Sequence, residues 1–203
     1  GYRFVRYADD LMIFTKSKRA AQRQYERVSK FIEGKLKLKI NKEKTKVSKL
    51  NQVKYLGYTF YRTKGKCRFR VHPKSINKLK DKIRVVTGRS NGMSIEGRKI
   101  KLNQIIRGWV QYFKLADMKT IMQSIDEWLR RRIRMITWKR WKKVKTKFEN
   151  LQKLGVAREK AWEWANTRKS YWHTANSWIL STTLTNARFE KQGYLSFLKY
   201  YLE

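Results

Sequence analysis

Two adjacent carboxylates near the start of the chain, Asp9 and Asp10, are the residues best suited to chemistry. They interrupt two β-forming runs, residues 2–7 and 11–15, so they lie at the tip of a predicted hairpin. Neighbouring acids repel each other, a divalent cation offsets that repulsion, and their hard oxygen atoms suit Mg²⁺. In nucleotidyl transfer, a pair of such ions activates the attacking 3′-hydroxyl and stabilises the leaving pyrophosphate. The alternative is an ordinary exposed turn, in which Asp is common, but the full pattern in a basic chain favours a metal.

The residues after this turn predict one helix and further strands. Apolar residues at spacings of four, three and four indicate an amphipathic helix over residues 18–35, with Ser17 as its N-cap. The next apolar residues, Leu36, Leu38 and Ile40, alternate with lysines. That period of two predicts a half-buried strand.

A second hairpin and then a helical region follow. Residues 53–61 and 67–71 predict the two strands of the hairpin, which precedes the only proline, Pro73. Beyond Pro73, three apolar stripes predict three helices, and their short connections predict a small bundle. Arg98 lies outside the second stripe on the helical wheel. A boundary near residues 154–155 precedes a Trp-rich helical tail.

The charge of the chain limits its partners. Fifty-one Lys and Arg against 15 Asp and Glu give 203 residues a net charge of +36, which predicts a polyanionic partner. A hydrophobic content of 41%, with 14% aromatic residues, excludes a disordered basic tail. A single cysteine, Cys67, excludes an internal disulfide and a CxxC zinc site. No apolar run approaches the ~20 residues that span a bilayer, so we expect neither a secreted nor a membrane protein.

The predicted third helix contains the most basic segment. Residues 128–147 hold ten Lys or Arg and no acid. If the helix is continuous, one face opposite the apolar stripe carries Arg130, Arg131, Arg134, Trp138 and Trp141. Either the helix breaks or bends near Thr137 and both tryptophans pack on the tail, or arginine and tryptophan together contact phosphates and stack on RNA bases. Both alternatives leave the arginines available to phosphate. The predicted nucleic-acid contacts are Arg130, Arg131, Arg134, Lys139, Arg140, Lys142, Lys143 and Lys145.

Several blocks, in order, resemble one family. Residues 3–11, which read RFVRYADDL, are similar to the YADD palm motif of group II intron reverse transcriptases, which are also intron maturases. Residues 38–45, LKINKEKT, resemble the motif that follows in that family, and residues 55–58, YLGY, resemble its FLGF-type primer grip.

The resemblance continues into the helical region. Residues 76–141 are similar to the maturase-specific, or X, region that forms the thumb, and the string GWVQYF at 108–113 is its most recognisable piece. Residues 171–173, YWH, and 193–195, GYL, resemble the end of bacterial members without an endonuclease domain. The similarity spans the whole chain.

The resemblance implies roles for the two aspartates. Asp9 is then a direct Mg²⁺ ligand and Asp10 its neighbour or a weaker second ligand. Family members carry the fingers and the first half of the palm before YADD, including an aspartate that completes the metal site. This sequence begins six residues before Tyr7, without that aspartate. We therefore expect a fragment or one piece of a split protein, inactive in polymerisation by itself.

Other residues would support the reaction. Tyr7 and Ala8 are predicted nucleotide or primer contacts. Lys44 could lie near the incoming triphosphate as a point charge or proton donor, or it could be a solvated lysine among lysines. The predicted primer contacts that follow are Tyr55, Leu56, Gly57 and Tyr58. Gly57 would let a sugar-phosphate approach closely, and the alternative is a bulge in a buried strand.

These expectations combine into one architecture. The fold class is α+β, with an antiparallel palm remnant, a three-helix thumb bundle and an α-helical C-terminal region. The expected domains are residues 1–73 for the C-terminal half of the palm, 74–150 for the thumb or X domain, and 151–203 for a helical nucleic-acid-binding region.

The expected function is RNA-directed DNA polymerisation by a two-metal mechanism, together with intron RNA binding for splicing and mobility. The alternatives are a non-catalytic RNA-binding maturase fragment and a structural RNA-binding protein of ribosomal type. The expected cofactor is Mg²⁺. The expected partners are group II intron RNA, a DNA primer or target, a deoxynucleoside triphosphate and an upstream fingers–palm segment, without a membrane. The expected location is the cytoplasm of a bacterium, with nucleoid association, or an organelle.

Overall fold

Helices and two small antiparallel sheets make up the chain, which confirms the α+β class. The structure is a computed structural model and describes residues 2–203. It divides into two compact units, Gly1–His72 and Pro73–Glu203. Both sheets and the first helix belong to the first unit, and the remaining helices belong to the second.

The first hairpin has the predicted form. Strand β1 (Arg3–Tyr7) pairs with strand β2 (Asp10–Phe14), in a register that sets Tyr7 opposite Asp10. Helix α1 (Lys18–Gly34) follows and begins after Ser17. The hydroxyl of Ser17 accepts a hydrogen bond from the backbone N–H of Ala20 at 3.2 Å, which confirms the predicted N-cap.

The predicted strand over Leu36, Leu38 and Ile40 is wrong. The chain there is irregular, and Leu36 and Leu38 are 51% and 60% exposed. Lys37 adopts a left-handed backbone with φ +54°, which interrupts an extended path. The N–H groups of Leu36 and Leu38 instead donate to the carbonyls of Phe31 and Ile32 at the end of α1. Alternation alone therefore did not form a strand, because this segment has no ladder partner among the described residues.

The second hairpin is shorter than its sequence predicted. Strand β3 (Tyr58–Thr63) pairs with strand β4 (Lys66–Val71) through the turn at residues 64–65, where both residues have positive φ. A 3₁₀ turn (Leu50–Gln52) precedes it. Residues 53–57 do not join β3, because the chain reverses direction at residues 56–57.

The second unit begins with three helices where the sequence predicted them: α2 (Pro73–Val86), α3 (Ile95–Phe113) and α4 (Lys119–Arg140). Many residues of their apolar stripes are buried, in agreement with the predicted periodicity. The buried residues of these stripes include Leu79, Ile83, Val86, Leu102, Ile106, Val110, Ile125, Leu129 and Ile133.

Arg98 is buried, although it lies outside the predicted apolar stripe of α3. Its guanidinium donates to the carbonyls of Val86, Gly88 and Met93 at 2.8–3.0 Å, and to Oδ1 of Asn91 at 2.6 Å. Several carbonyls at the end of α2 and in the loop before α3 point inward, and Arg98 together with the Asn91 side-chain amide supplies their donors. A helical wheel places residue types around one helix and does not show that carbonyls of a neighbouring loop need hydrogen-bond donors.

Six short helices complete the second unit: α5 (Val144–Lys153), α6 (Arg158–Ala165), α7 (Tyr171–Thr174), α8 (Trp178–Thr183), α9 (Asn186–Lys191) and α10 (Phe197–Leu202). Helices α7 and α10 pack against α4. Helix α4 is continuous through Thr137 to Arg140, so the helix does not break at the predicted position. Trp138 and Trp141 are nevertheless buried, edge to face with ring centroids 5.8 Å apart. Their burial contradicts the alternative in which they stack on RNA.

Among residues 2–203, no helix combines the length and the hydrophobicity that crossing a bilayer requires.

Candidate functional site

The two aspartates lie at the tip of the first hairpin. Ala8 and Asp9 form its two-residue turn, and Asp10 is the first residue of β2. Ala8 adopts a left-handed backbone with φ +48°, which costs a residue with a side chain about 1–2 kcal/mol. Nε of Arg6 donates to the carbonyl of Ala8 at 3.0 Å and closes the turn. Strain of this kind persists where surrounding contacts enforce it and clusters at functional sites.

The strand register determines on which side of the hairpin the Asp10 side chain lies. Directly opposed residues point to the same side of a strand pair, so Asp10 lies with Tyr7 on the side of Val5 and Met12. All four residues of the turn, Tyr7 to Asp10, are exposed. The site is therefore a solvent-accessible pair of carboxylates held on a tight turn.

These carboxylates have the donor chemistry of a Mg²⁺ site but supply only part of a ligand shell. Their oxygen atoms are the ligand type that Mg²⁺ prefers, and an exposed turn leaves room for the waters that Mg²⁺ retains. Two adjacent residues on one turn supply few of the positions of an octahedral shell. Among residues 2–203, no group of three or more His, Cys, Asp and Glu side chains is placed to hold a metal ion. The donor type fits Mg²⁺, and the shell needs further ligands.

The predicted primer-contact residues form a second tight turn. Tyr55 and Tyr58 exchange both backbone hydrogen bonds, at 2.9 and 3.0 Å, around Leu56 and Gly57. Leu56 and Gly57 both have positive φ, +50° and +82°, as a type I′ turn requires. The carbonyl of Gly57 accepts from the N–H of His72 at 2.9 Å. The alternative of a strand bulge is therefore wrong, since Gly57 is required by turn geometry.

Lys44 lies on a local turn, and it is far from Asp9 and Asp10 in the sequence. Its N–H donates to Asn41 at 3.1 Å, to both the carbonyl and the side-chain Oδ1, and its side chain is exposed. The structure shows no partner that would distinguish a triphosphate contact from a solvated lysine, so its role stays a prediction.

The sequence predicted that Arg130 lies on an exposed face, and this prediction is wrong. Arg130 is only 4% exposed, and its Nη1 atom is buried without a hydrogen-bond partner among the described residues. Burial lowers the pKa of its guanidinium, and the nearby charges of Asp126 and Glu190 oppose that shift. A side chain this enclosed does not reach a phosphate on the surface.

Arg131, Arg134 and Lys139 also bind within the protein. Arg131 stacks on the ring of Trp172, 3.9 Å from its centroid, and donates to the Trp172 carbonyl at 3.0 Å. Arg134 donates to the carbonyl of Leu184 at 2.9 Å. Lys139 donates to the carbonyl of Arg89 at 2.9 Å. Some donors of Arg131, Arg134 and Lys139 are therefore bound to carbonyls of neighbouring segments. These side chains are only half-buried, so their contacts with phosphate stay a prediction.

The other predicted cations are exposed. They lie at the last residue of α4, in the connection that follows it, and at the start of α5: Arg140, Lys142, Lys143 and Lys145. Their role as nucleic-acid contacts stays a prediction, and their exposure is compatible with it.

Sequence analysis did not single out a row of cations on β4. Lys66, Arg68 and Arg70 are exposed and alternate with other residues. Their period of two matches a strand, which was the available signal.

Comparison with family models gives two matches in chain order. The reverse transcriptase (RNA-dependent DNA polymerase) model matches residues 1–60, and the group II intron maturase-specific domain model matches residues 76–155. The first match contains both tight turns, and the second contains helices α3 and α4. No curated protein matches the chain.

Proposed function

This chain belongs to the group II intron reverse transcriptase/maturase family, and from that premise we propose that it supplies part of an RNA-directed DNA polymerase that also binds intron RNA. The observation that carries this proposal is the YADD sequence, Tyr7 to Asp10, on an exposed hairpin turn within the reverse transcriptase match. An ordinary surface turn requires neither a strained backbone nor adjacent carboxylates, and this turn also lies within the reverse transcriptase match.

Asp9 and Asp10 would hold Mg²⁺ in the complete enzyme, by a two-metal mechanism. Bound Mg²⁺ supplies activation of the attacking 3′-hydroxyl and stabilisation of the leaving pyrophosphate. The hairpin fixes the backbone of both aspartates through five opposed residue pairs, from Arg3 opposite Phe14 to Tyr7 opposite Asp10. Rigid support of this kind is what metal geometry demands.

An upstream fingers–palm segment would complete this site. The hairpin leaves apolar side chains exposed on both of its sides, with Phe4 67% and Tyr7 64% exposed. A two-stranded hairpin is marginally stable in water without further strands or a helix packed on it. An added palm strand would cover these residues and bring the further carboxylate that the metal shell needs.

The helical unit would bind intron RNA as a thumb and C-terminal region. Support for the thumb comes from the maturase-specific match over residues 76–155, which includes helices α3 and α4. We assign residues 1–73 to the palm, 74–150 to the thumb and 151–203 to the C-terminal region. The exposed cations from the last residue of α4 to the start of α5 are the proposed RNA contacts of the thumb: Arg140, Lys142, Lys143 and Lys145.

Lys44, Tyr55 and Gly57 are proposed substrate contacts on the palm side. Lys44 would neutralise the triphosphate, and the tight turn at Gly57 would lie against the primer backbone, together with a DNA target in mobility. These partners are nucleic acids and nucleotides, so we expect the protein to act where they are, in the cytoplasm.

Primer extension tests this proposal. The full chain combined with a fingers–palm segment should extend a DNA primer on an RNA template with Mg²⁺, and the chain by itself should not. Asp9→Asn keeps the size of the side chain and removes its charge, so extension should fall on the order of a hundredfold or more. The matched control is Asp81→Asn, an exposed acid on α2 that should leave extension unchanged.

Intron RNA binding separates the two activities. Asp9→Asn should bind intron RNA as the unaltered chain does, because it changes none of the proposed RNA contacts. Extension by Asp9→Asn at the rate of the unaltered protein would contradict the catalytic assignment. Loss of RNA binding in the same variant would contradict the division between turn and helical unit.

A further inference from the structure

Trp162 on α6 has an aromatic ring that is both exposed and ordered. The residue is 58% exposed, whereas tryptophan is highly buried on average. Its ring meets the ring of Phe148 on α5 edge to face, with centroids 5.8 Å apart and planes at 82°. Because such a contact covers at most one face of the indole, the ring is held in place and still presents a flat apolar surface to solvent.

Exposed lysines lie beside this ring on α5. At about 100° per residue, Lys145 is about 60° from Phe148 around the helix axis, so it borders the residue that holds Trp162. Lys142 and Lys143 lie immediately before α5. The side chains of all three lysines are exposed, and no hydrogen bond or ion pair binds them among residues 2–203. Their charges are therefore available to an external anion.

The acidic side chains near Trp162 limit how a polyanion can approach it. Glu159 and Glu163 are exposed, on the side of α6 away from its buried residues Ala161 and Ala165. Their carboxylates repel phosphates, whereas the lysines of α5 attract them. A polyanion that reaches the indole would therefore run along α5 and not along the outer side of α6.

An exposed ring beside exposed lysines suits a single strand of nucleic acid. Unpaired bases stack on aromatic side chains, and adjacent cations neutralise the phosphates of the same strand. In a duplex each base is already stacked and paired, so its faces are not available to an indole. An exposed tryptophan also suits a protein partner, but a net charge of +36 and the neighbouring lysines favour a polyanion.

We propose that Trp162 stacks on an unpaired base of an RNA strand whose neighbouring phosphates contact Lys142, Lys143 and Lys145. The proposal rests on the proposed function in taking RNA as the partner and these lysines as its contacts. It adds a base-stacking residue and a preference for unpaired RNA. Trp162 lies outside both family matches, the second of which ends at residue 155, so the matches do not assign this role.

The experiment measures the affinity of the full chain for an RNA of about 12 nucleotides, of mixed sequence without self-complementarity, and for the same RNA annealed to its complement. Trp162→Ala removes the stacking surface and should weaken binding of the single strand roughly 5- to 140-fold. Binding of the duplex should change less than about twofold, because its bases do not stack on the indole. The matched control is Trp178→Ala, which removes another exposed tryptophan and should change neither affinity more than about twofold.

Two further variants separate stacking from packing against Phe148. Trp162→Leu keeps apolar bulk beside Phe148 and removes the flat ring, so it should weaken single-strand binding as Trp162→Ala does. Trp162→Phe keeps a flat ring and should retain most of the affinity. Stacking is common to RNA and DNA, so a DNA strand of the same sequence forms a further arm, and weaker binding of the unaltered chain to DNA supports RNA as the strand.

Each remaining outcome overturns a stated part. Unchanged single-strand affinity in Trp162→Ala, equal losses for single strand and duplex, or equal affinities of the Leu and Phe variants would overturn the stacking role. Equal or tighter binding to DNA would overturn the choice of RNA. If the unaltered chain binds neither RNA, the RNA-binding part of the proposed function fails. If it binds RNA through the lysines and Trp162→Ala has no effect, only the present inference fails.

Discussion

Asp126 fastens the end of the chain to the middle of α4, and we predict that Asp126→Ala strongly destabilises the helical unit. One oxygen of its carboxylate accepts from the backbone N–H of Phe197 at 2.8 Å. The other accepts from the hydroxyl of Ser196 at 2.6 Å and from the N–H of Leu198 at 2.9 Å. Asp126 is only 9% exposed, so water does not replace these bonds freely.

The structure sets the size of the expected loss. Two of the three donors are backbone N–H groups at the start of α10, which have no intrahelical partner. Each buried donor left unsatisfied costs about 1–3 kcal/mol. Arg130 also loses the nearby negative charge that opposes its desolvation. We therefore expect the free energy of unfolding to fall by about 3–5 kcal/mol, the range for breaking a buried charged arrangement.

Urea unfolding of the full chain, followed by tryptophan fluorescence, measures this loss. The control is Asp81→Ala on α2, whose carboxylate is 67% exposed and pairs with Arg84 at 2.6 Å. An exposed pair of this kind contributes little, so the control should change the free energy of unfolding by less than about 1 kcal/mol. Limited proteolysis should cleave the tail of Asp126→Ala faster. If Asp126→Ala and the control unfold at the same urea concentration, the hydrogen bonds of Asp126 do not hold the tail and the reasoning fails.

Further variants test the turn and the two classes of cation. Gly57→Ala places a side chain at φ +82°, so the backbone amides of Tyr55 and Tyr58 should exchange hydrogen roughly 5 to 30 times faster. The control is Gly34→Ala, whose new side chain meets open space and should not accelerate this exchange. Arg131→Gln should lower the free energy of unfolding by about 1–3 kcal/mol and leave RNA affinity unchanged, because its contacts are internal. Replacement of the exposed cations should do the reverse, with unchanged stability and an RNA affinity several hundredfold lower at about 0.1 M salt if all four contact phosphates. These cations are Arg140, Lys142, Lys143 and Lys145. Normal RNA binding by that fourfold variant, or a stable protein with weak RNA binding from Arg131→Gln, would contradict the assignment.

Local sequence determined the elements whose signals are complete within a few residues. The hairpin around Asp9, the N-cap at Ser17 and the apolar stripes of α2 to α4 all have the predicted form. Each depends on backbone preferences or on periodic burial, which neighbouring residues specify. The motif blocks likewise predicted the family, because their order along the chain is itself a sequence property.

Predictions that needed a partner element were less successful. Leu36 and Leu38 have the alternation of a strand, yet they are exposed in irregular chain, because a strand exists only with a ladder beside it. The strand predicted from residue 53 begins only at Tyr58, after the reversal at Gly57. The proposed contacts of Lys44 and the proposed Mg²⁺ site depend on groups that no local pattern specifies.

The basic residues of α4 show most clearly what the tertiary structure decided. The sequence alone determined that Arg130, Arg131 and Arg134 lie opposite the apolar stripe, since helical periodicity fixes that arrangement. Only the fold decided what covers that face: α7 and α10 pack on α4, and carbonyls at Trp172 and Leu184 take up the arginine donors. A buried carbonyl requires a donor wherever the chain brings one within reach. Charge therefore predicted a polyanionic partner for the molecule, whereas the demand for buried hydrogen bonds decided which cations remain free to face solvent.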